Sequence, residues 1–194
     1  MISILIPNRV EPRVQEVISE IEVLLNCEVI IVVDREAKGK GWAIREALSH
    51  AKGDIIAFLD GDMDIHPRML LRLIPFICDY DIVVGKKQVR GILSRRLLTR
   101  LSRLYTRILF GLNIDTQTGI KLFRREALPS WDTNGFMYDL EILAQARLMG
   151  KSIIEIPVEA NIERKMSTRS IYKCFCESIK IWSNQHDPRT SKRV

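Results

Sequence analysis

Short apolar runs alternate with segments of helical spacing along this chain, and that alternation limits the fold more than any other feature. Runs at 2–6, 29–33 and 55–59 read as strands, and the segments 10–25 and 41–51 between them read as helices. This is a βαβ rhythm, in which strands joined by helical crossovers lie parallel and helices cover both faces of the sheet. The pattern continues with a helix that Pro67 opens in its first turn, a strand over 81–84, a basic segment, a strand over 119–123, a helix over 138–149, a strand over 153–156 and a helix over 171–182. No linker, internal repeat or low-complexity tract interrupts it. A length of 194 residues suits one domain. Residues 1–186 are therefore expected to form a single α/β domain around a mostly parallel sheet, with 187–194 as a frayed tail.

Ligands of such sheets bind beyond the carboxyl ends of the strands. Pro7-Asn8, Asp34 and the run Asp60-Gly61-Asp62-Met63-Asp64 each follow a strand, so all of them belong on one rim. Asp60, Asp62 and Asp64 would repel one another there unless a hard cation bridged them. Mg²⁺ or Mn²⁺ takes a few protein carboxylates and completes its shell with substrate phosphates. A metal-bound diphosphate is the chemistry this arrangement suggests; a solvated acidic turn is the structural alternative.

Hydrophobic residues make up 46% of the chain, as in globular proteins, yet no stretch of about 18 uncharged apolar residues occurs. The N-terminus lacks the basic region of a signal peptide, so a cytoplasmic location is expected. Cys27, Cys78, Cys174 and Cys176 have no paired zinc-type spacing and read as reduced thiols, and His50, His66 and His186 are scattered without metal-ligand spacing. The net charge of +6 points to anionic partners. It is concentrated: no acidic residue falls within 82–114, where Lys86, Lys87, Arg90, Arg95, Arg96, Arg100, Arg103 and Arg107 all lie.

The ordered set Ile4-Leu5-Ile6-Pro7, Ile31-Val32-Val33-Asp34, Lys38-Gly39-Lys40-Gly41-Trp42-Ala43, Gly53-Asp54, Asp60-Gly61-Asp62, Asp81-Ile82-Val83-Val84-Gly85, Thr118-Gly119 and Glu155-Ile156-Pro157-Val158 resembles a family 2 glycosyltransferase of the GT-A fold. The likeness is to the dolichyl-phosphate mannose synthase and polyprenyl-phosphate sugar transferase branch, over roughly 2–170. It implies that Asp60 and Asp62, with Asp64 as a further ligand, hold Mg²⁺ or Mn²⁺ against a nucleotide-sugar diphosphate of the GDP-mannose or UDP-glucose type. It also implies that Pro7 and Asn8 flank the base, that Asp34 meets base or ribose, and that Gly39, Lys40 and Gly41 shape the nucleotide pocket. Relatives carry Asp-Asp-Gly-Ser after the second strand, then a helix and a strand before the Lys-Gly segment. Here Asp34 reaches Lys38 in four residues, which leaves the base open.

At about 100° per residue, Arg96, Arg100, Arg103 and Arg107 form one stripe of a helix over 92–112, with Leu93, Leu97, Leu101, Leu104, Ile108 and Leu112 beside it. Such a basic amphipathic helix can lie in a membrane interface, each Arg near anionic lipid contributing about 1 kcal/mol. It can equally be a surface helix with its leucines in the core. The resemblance assigns Arg95 and Thr99 to the acceptor phosphate, with Thr where relatives have Ser, and Lys86 is expected to join them. Arg164-Lys165-Met166-Ser167-Thr168-Arg169 resembles the family's Arg-x-x-Gly-x-Ser-Lys loop without its Gly. Arg164, with Lys165 or Arg169, would then stabilise the departing nucleotide; a solvated basic loop is the other reading.

The implied reaction is attack of an acceptor oxygen on the anomeric carbon with inversion. A phosphate acceptor is already an anion, whereas a hydroxyl acceptor needs a base. Asp139 and Glu141 stand where the superfamily places one, though acids in a helix's first turn also complement its dipole. The expected partners are a nucleotide-sugar and a lipid phosphate or membrane surface, with the enzyme peripheral on the cytoplasmic face; a glycan or protein hydroxyl is the alternative acceptor. A nucleotidyltransferase is disfavoured because no Gly precedes Gly39, and a dehalogenase-type phosphatase because its Asp follows the first strand. A non-catalytic membrane- or nucleic-acid-binding module leaves the acidic run unexplained. No nucleic-acid partner is expected, since Tyr105 is the one aromatic of the basic segment before Phe110.

Overall fold

The computed structural model describes residues 1–88, 93–161 and 168–186, with the side chains of 93–99 and of 168 outside the description. The tail 187–194 also lies outside it. The elements in order are β1 (Ile2–Asn8), α1 (Val14–Leu24), β2 (Glu28–Val33), α2 (Lys40–His50), β3 (Ile55–Leu59), the short α3 (Leu70–Leu73) between two 3₁₀ turns, β4 (Ile82–Gln88), α4 (Leu93–Phe110), β5 (Ile120–Arg124), α5 (Tyr138–Leu148), β6 (Ile153–Glu159) and α6 (Thr168–His186).

Six strands form one sheet in the order β2-β1-β3-β5-β4-β6. β1 pairs in parallel with β2 and β3, and β4 in parallel with β6. β5 alone runs the other way, antiparallel to both β3 and β4. The sheet is thus mostly parallel, as expected, with one reversed strand that apolar content alone could not reveal. A buried strand reads apolar in either direction, and direction depends on where the preceding connection returns.

Alternation along the strands divides the core. Leu5, Ile56, Phe58, Ile82, Val84 and Phe123 face one layer, closed by Ile44 of α2, Leu140 and Leu143 of α5 and Ile181 of α6. Ile4, Ile6, Ala57, Leu59, Val83 and Leu122 face the other, closed by Val17 and Ile21 of α1 and by Leu70 and Leu73 of α3. Helices therefore cover both faces.

Several boundaries moved for local reasons. α1 starts at Val14 instead of residue 10, because Glu11 N–H donates to Asn8 Oδ1 at 2.9 Å and Pro12 has no N–H to give. The segment 9–13 becomes a turn at the rim of the sheet. β6 continues through Pro157 to Glu159, which its edge position permits.

Candidate active site

β1, β2 and β3 run in parallel, so their carboxyl ends share one rim. A cavity of about 1120 Å³ opens there, lined by Pro7, Asn8, Asp34, Lys38, Gly39, Lys40, Asp60, Gly61 and Asp62, by 132–136 and by one face of α6. Of the residues expected to bind a donor, Pro7, Asn8, Asp34, Gly39, Lys40, Asp60 and Asp62 line it, whereas Gly41 and Arg169 do not.

Asp34 is nearly buried and builds the loop that follows it. Its Oδ1 accepts from Lys38 N–H at 2.8 Å and its Oδ2 from Gly39 N–H at 2.7 Å. This tight turn is how the chain passes from β2 to α2 in so few residues. Gly39 has φ +119°, a conformation that L side chains rarely adopt, and a Cβ there would fall 2.2 Å from the Asn134 carbonyl oxygen. Gly41 N–H donates to that same oxygen at 2.8 Å. The start of α2 is thereby sewn to the segment 131–135. Glu141 secures the other side of that segment, its carboxylate accepting from Asp132 N–H at 3.2 Å and Thr133 N–H at 2.9 Å.

Lys40 Nζ lies 2.6 Å from Asp60 Oδ1. Burial opposes its charged form, but the carboxylates of Asp60 and Asp139 outweigh that and hold its pKa above the usual lysine value. Asp60 N–H donates to Gly119 O at 2.9 Å, and a Cβ on Gly119 would strike the Asp60 carboxylate at 2.4 Å. The Thr118-Gly119 signature is thus the wall that backs Asp60. For Asp62, burial and then the like charge of Asp60 raise the pKa.

A second, small cavity of about 70 Å³ shares Asp60 and Asp62 with the large one and adds Asp64, Ile65, Lys87 and Gly119. All three expected metal ligands border it, although among the described residues no three acidic, His or Cys side chains are drawn into a ready cage. Hard carboxylate oxygens at Asp60 and Asp62 fit a divalent ion that takes most of its shell from water and diphosphate.

The other expected residues are placed as follows. Asp139 is buried and its Oδ1 is 3.0 Å from Lys121 Nζ, itself only 1% exposed. Burial pushes the Asp139 carboxyl up and the Lys121 ammonium down, each partly offset by the other. Asp139 borders neither cavity, whereas Glu141 lines the large one. Lys86 is exposed and 3.9 Å from Glu155; its neighbour Lys87, on the opposite side of β4, is the lysine set against the acidic run. Arg103 departs from the expected free basic stripe, because it pairs with Glu155. Leu101, Leu104 and Ile108 of the apolar stripe are exposed, whereas Leu112 at its end is buried in the core. Arg164 and Lys165 lie outside the described residues, as do the side chains of Arg95 and Thr99 on α4; Arg169 is exposed near the start of α6. Reading the sequence missed Lys173, Glu177 and Lys180, which line the large cavity from α6. Their spacing of four, then three, was the available signal, but it did not say which face turned inward.

A family model described as glycosyl transferase family 2 matches residues 4–131. The chain belongs to glycosyl transferase family 2. This family 2 chain is 27% identical over 125 residues to the undecaprenyl-phosphate mannosyltransferase of Micrococcus luteus, covering 58% of this chain and 51% of that protein. It is 30% identical over 161 residues to the dolichyl-phosphate beta-glucosyltransferase ALG5A of Trichomonas vaginalis, covering 74% and 50%. It spans about half the length of each. Among solved structures, glucosyl-3-phosphoglycerate synthase of Mycobacterium tuberculosis superposes with a TM-score of 0.74 at 20% identity, over 94% of this chain and 81% of that one. The same protein in complex with Mn²⁺, UDP and phosphoglyceric acid also gives 0.74 at 20%, over 93% and 76%. The shared fold is GT-A.

Proposed function

We propose that this chain transfers a sugar from a nucleotide-sugar of the GDP-mannose or UDP-glucose type to polyprenyl or dolichyl phosphate, with inversion at the anomeric carbon. The observation that carries this reading is the convergence of Asn8, Asp34 and the Asp60–Asp62 pair on one cavity, beside a smaller one that shares both acids and is walled by Lys87. The large cavity is roomy enough for a nucleoside diphosphate and its sugar. Asp60 and Asp62, with Asp64, would hold Mg²⁺ or Mn²⁺, which supplies charge neutralisation on the diphosphate. Lys40 puts a positive charge beside Asp60, and the charge of Lys87 at the border of the smaller cavity supports an anionic acceptor.

An anionic acceptor suits the placement of the α5 carboxylates. Asp139 is held by Lys121, and Glu141 by two backbone N–H groups of the cavity wall. Such an acceptor attacks without a base. Relatives named for undecaprenyl and dolichyl phosphates support the lipid. No described helix is long and apolar enough to cross a membrane, so this domain would meet the lipid from the membrane surface.

Thermal unfolding with Mn²⁺ and a panel of GDP-, UDP- and dTDP-sugars tests the donor site. One nucleotide should stabilise the protein by about 2.7 kcal/mol at a hundredfold excess over its Kd, and Asp62→Ala should abolish the effect. Labelled sugar should then pass to a short-chain polyprenyl phosphate and not to the corresponding polyprenol. No shift with any nucleotide would overturn the reading, and transfer to a hydroxyl acceptor would overturn the lipid phosphate.

A further inference from the structure

Helix α6 has two unlike faces. Lys173, Glu177, Lys180, Ile181 and Asn184 fall on one stripe at about 100° per residue, and all of them line the donor cavity. Tyr172, Phe175, Ile179 and Trp182 fall on the opposite side, and all are exposed, Tyr172 to 70%. Among the described side chains of α6 only Ser178 and Ile181 are buried. A helix with so little apolar burial shifts at low free-energy cost.

Its inner face is tied to the cavity. Met137 N–H donates to Glu177 Oε2 at 3.3 Å, and Gly135 packs so closely that a Cβ there would sit 2.2 Å from Glu177 Oε1. The seat of α6 therefore sets the backbone of 135–137, next to the segment that holds the start of α2.

Its outer face continues onto α4. The Tyr105 ring centroid is 5.7 Å from that of Phe175, and the Tyr105 hydroxyl is 2.8 Å from Ser178 Oγ. Beside Tyr105, Leu101, Leu104 and Ile108 are exposed at i, i+3 and i+7. Arg100 and Arg107 of α4 and Arg169 of α6 are exposed around these apolar stripes, while Lys173 and Lys180 face the cavity. No acid lies within 82–114, and the single acid of α6, Glu177, is turned to the cavity. A second copy paired through a twofold axis would set these cations against their own counterparts. Apolar stripes rimmed by cations match the interface of an anionic bilayer.

We infer that α6 couples bilayer docking to donor binding. Seating the outer face in an anionic bilayer fixes the inner face as a wall of the donor cavity, so lipid surface and nucleoside diphosphate each raise affinity for the other. This rests on the donor site proposed above and adds a regulatory partner to it.

The test uses the whole chain, Mn²⁺ and the nucleoside diphosphate selected by the thermal panel, titrated with and without vesicles of phosphatidylcholine plus phosphatidylglycerol. These vesicles contain no polyprenyl phosphate, so an effect comes from the surface and not from an acceptor. The nucleotide Kd should fall about fivefold or more with anionic vesicles and stay unchanged with phosphatidylcholine alone; vesicle affinity should rise by the same factor with nucleotide, as linkage requires. Tyr172→Ser/Ile179→Ser/Trp182→Ser should keep the vesicle-free nucleotide Kd and lose the enhancement. Equal nucleotide Kd values with and without anionic vesicles overturn the coupling and leave the donor site standing. Failure to bind any nucleotide in either condition removes the donor site as well. A chain that is dimeric in solution, becomes monomeric with the triple substitution and ignores vesicles shows that a second copy covers the face, and overturns the bilayer as partner.

Discussion

Asp139→Asn should unfold this protein more readily without acting at the chemical step. The Asp139 carboxylate and the Lys121 ammonium are 3.0 Å apart, both side chains 6% exposed or less, and no hydrogen bond reaches Asp139 Oδ1 from another described group. Removing one partner of a buried pair strands the other charge and costs about 3–5 kcal/mol. For a chain of this size each kcal/mol moves Tm by about 2–4 °C, so Asp139→Asn or Lys121→Met alone should lower Tm by about 6–20 °C. Replacing both by apolar residues of similar volume, Lys121→Met/Asp139→Leu, removes the stranded charge and should return Tm to within a few degrees of the parent. Calorimetric unfolding at neutral pH, with nucleotide binding as the check on folding, reads all three variants. Two results would refute the reasoning. One is an Asp139→Asn protein that melts like the parent yet transfers no sugar, the behaviour of a general base. The other is a double variant as unstable as the two singles combined.

Gly41→Ala would ordinarily stabilise a helix by about 0.5–1 kcal/mol, but here the added Cβ falls 2.2 Å from Thr133 O and 2.7 Å from Tyr138 Cβ. A loss of about 1–3 kcal/mol in thermal unfolding, with weaker nucleotide binding, is expected instead. Lys87→Ala should raise the acceptor KM by about 10–100-fold, the worth of a hydrogen bond to a charged group, while Lys86→Ala changes it little; steady-state kinetics giving the reverse order would favour Lys86 as the acceptor-side lysine. Asp81 accepts hydrogen bonds from the backbone N–H and the hydroxyl of Ser152, both at 2.8 Å, which hold its pKa below the usual 3.8. Its contribution is therefore present above that pH and lost as pH falls through the lower folded-state value. The Tm difference between the parent and Asp81→Asn, followed by calorimetry, should shrink over that interval.

Much of the site was legible because its parts are local. An apolar run followed by Asp60-Gly61-Asp62 states both a strand and what stands at its end, and Asp34 and Pro7-Asn8 repeat the pattern. The close spacing of Asp34 and Lys38 read as a departure, and the structure gives its physical content: Asp34 spends its carboxylate on two N–H groups of the turn. The same residue types misled where a side chain's duty depends on a distant element. Arg103 looked like part of one basic stripe until Glu155 of β6 came alongside it, and that Lys87 borders the acidic run depends on the strand's orientation.

Local order and period two or 3.6 in the sequence by themselves determined the α/β class, the strand-end rim and the residues offered there, since these depend only on neighbours along the chain. Tertiary structure alone decided that β5 is reversed, that Lys121 and Asp139 meet beneath the site, and that α6 turns its lysines to the cavity and its aromatics outward. Each of these is a pairing between segments far apart in sequence. Apolar periodicity says that a face must be covered, and only packing says by what.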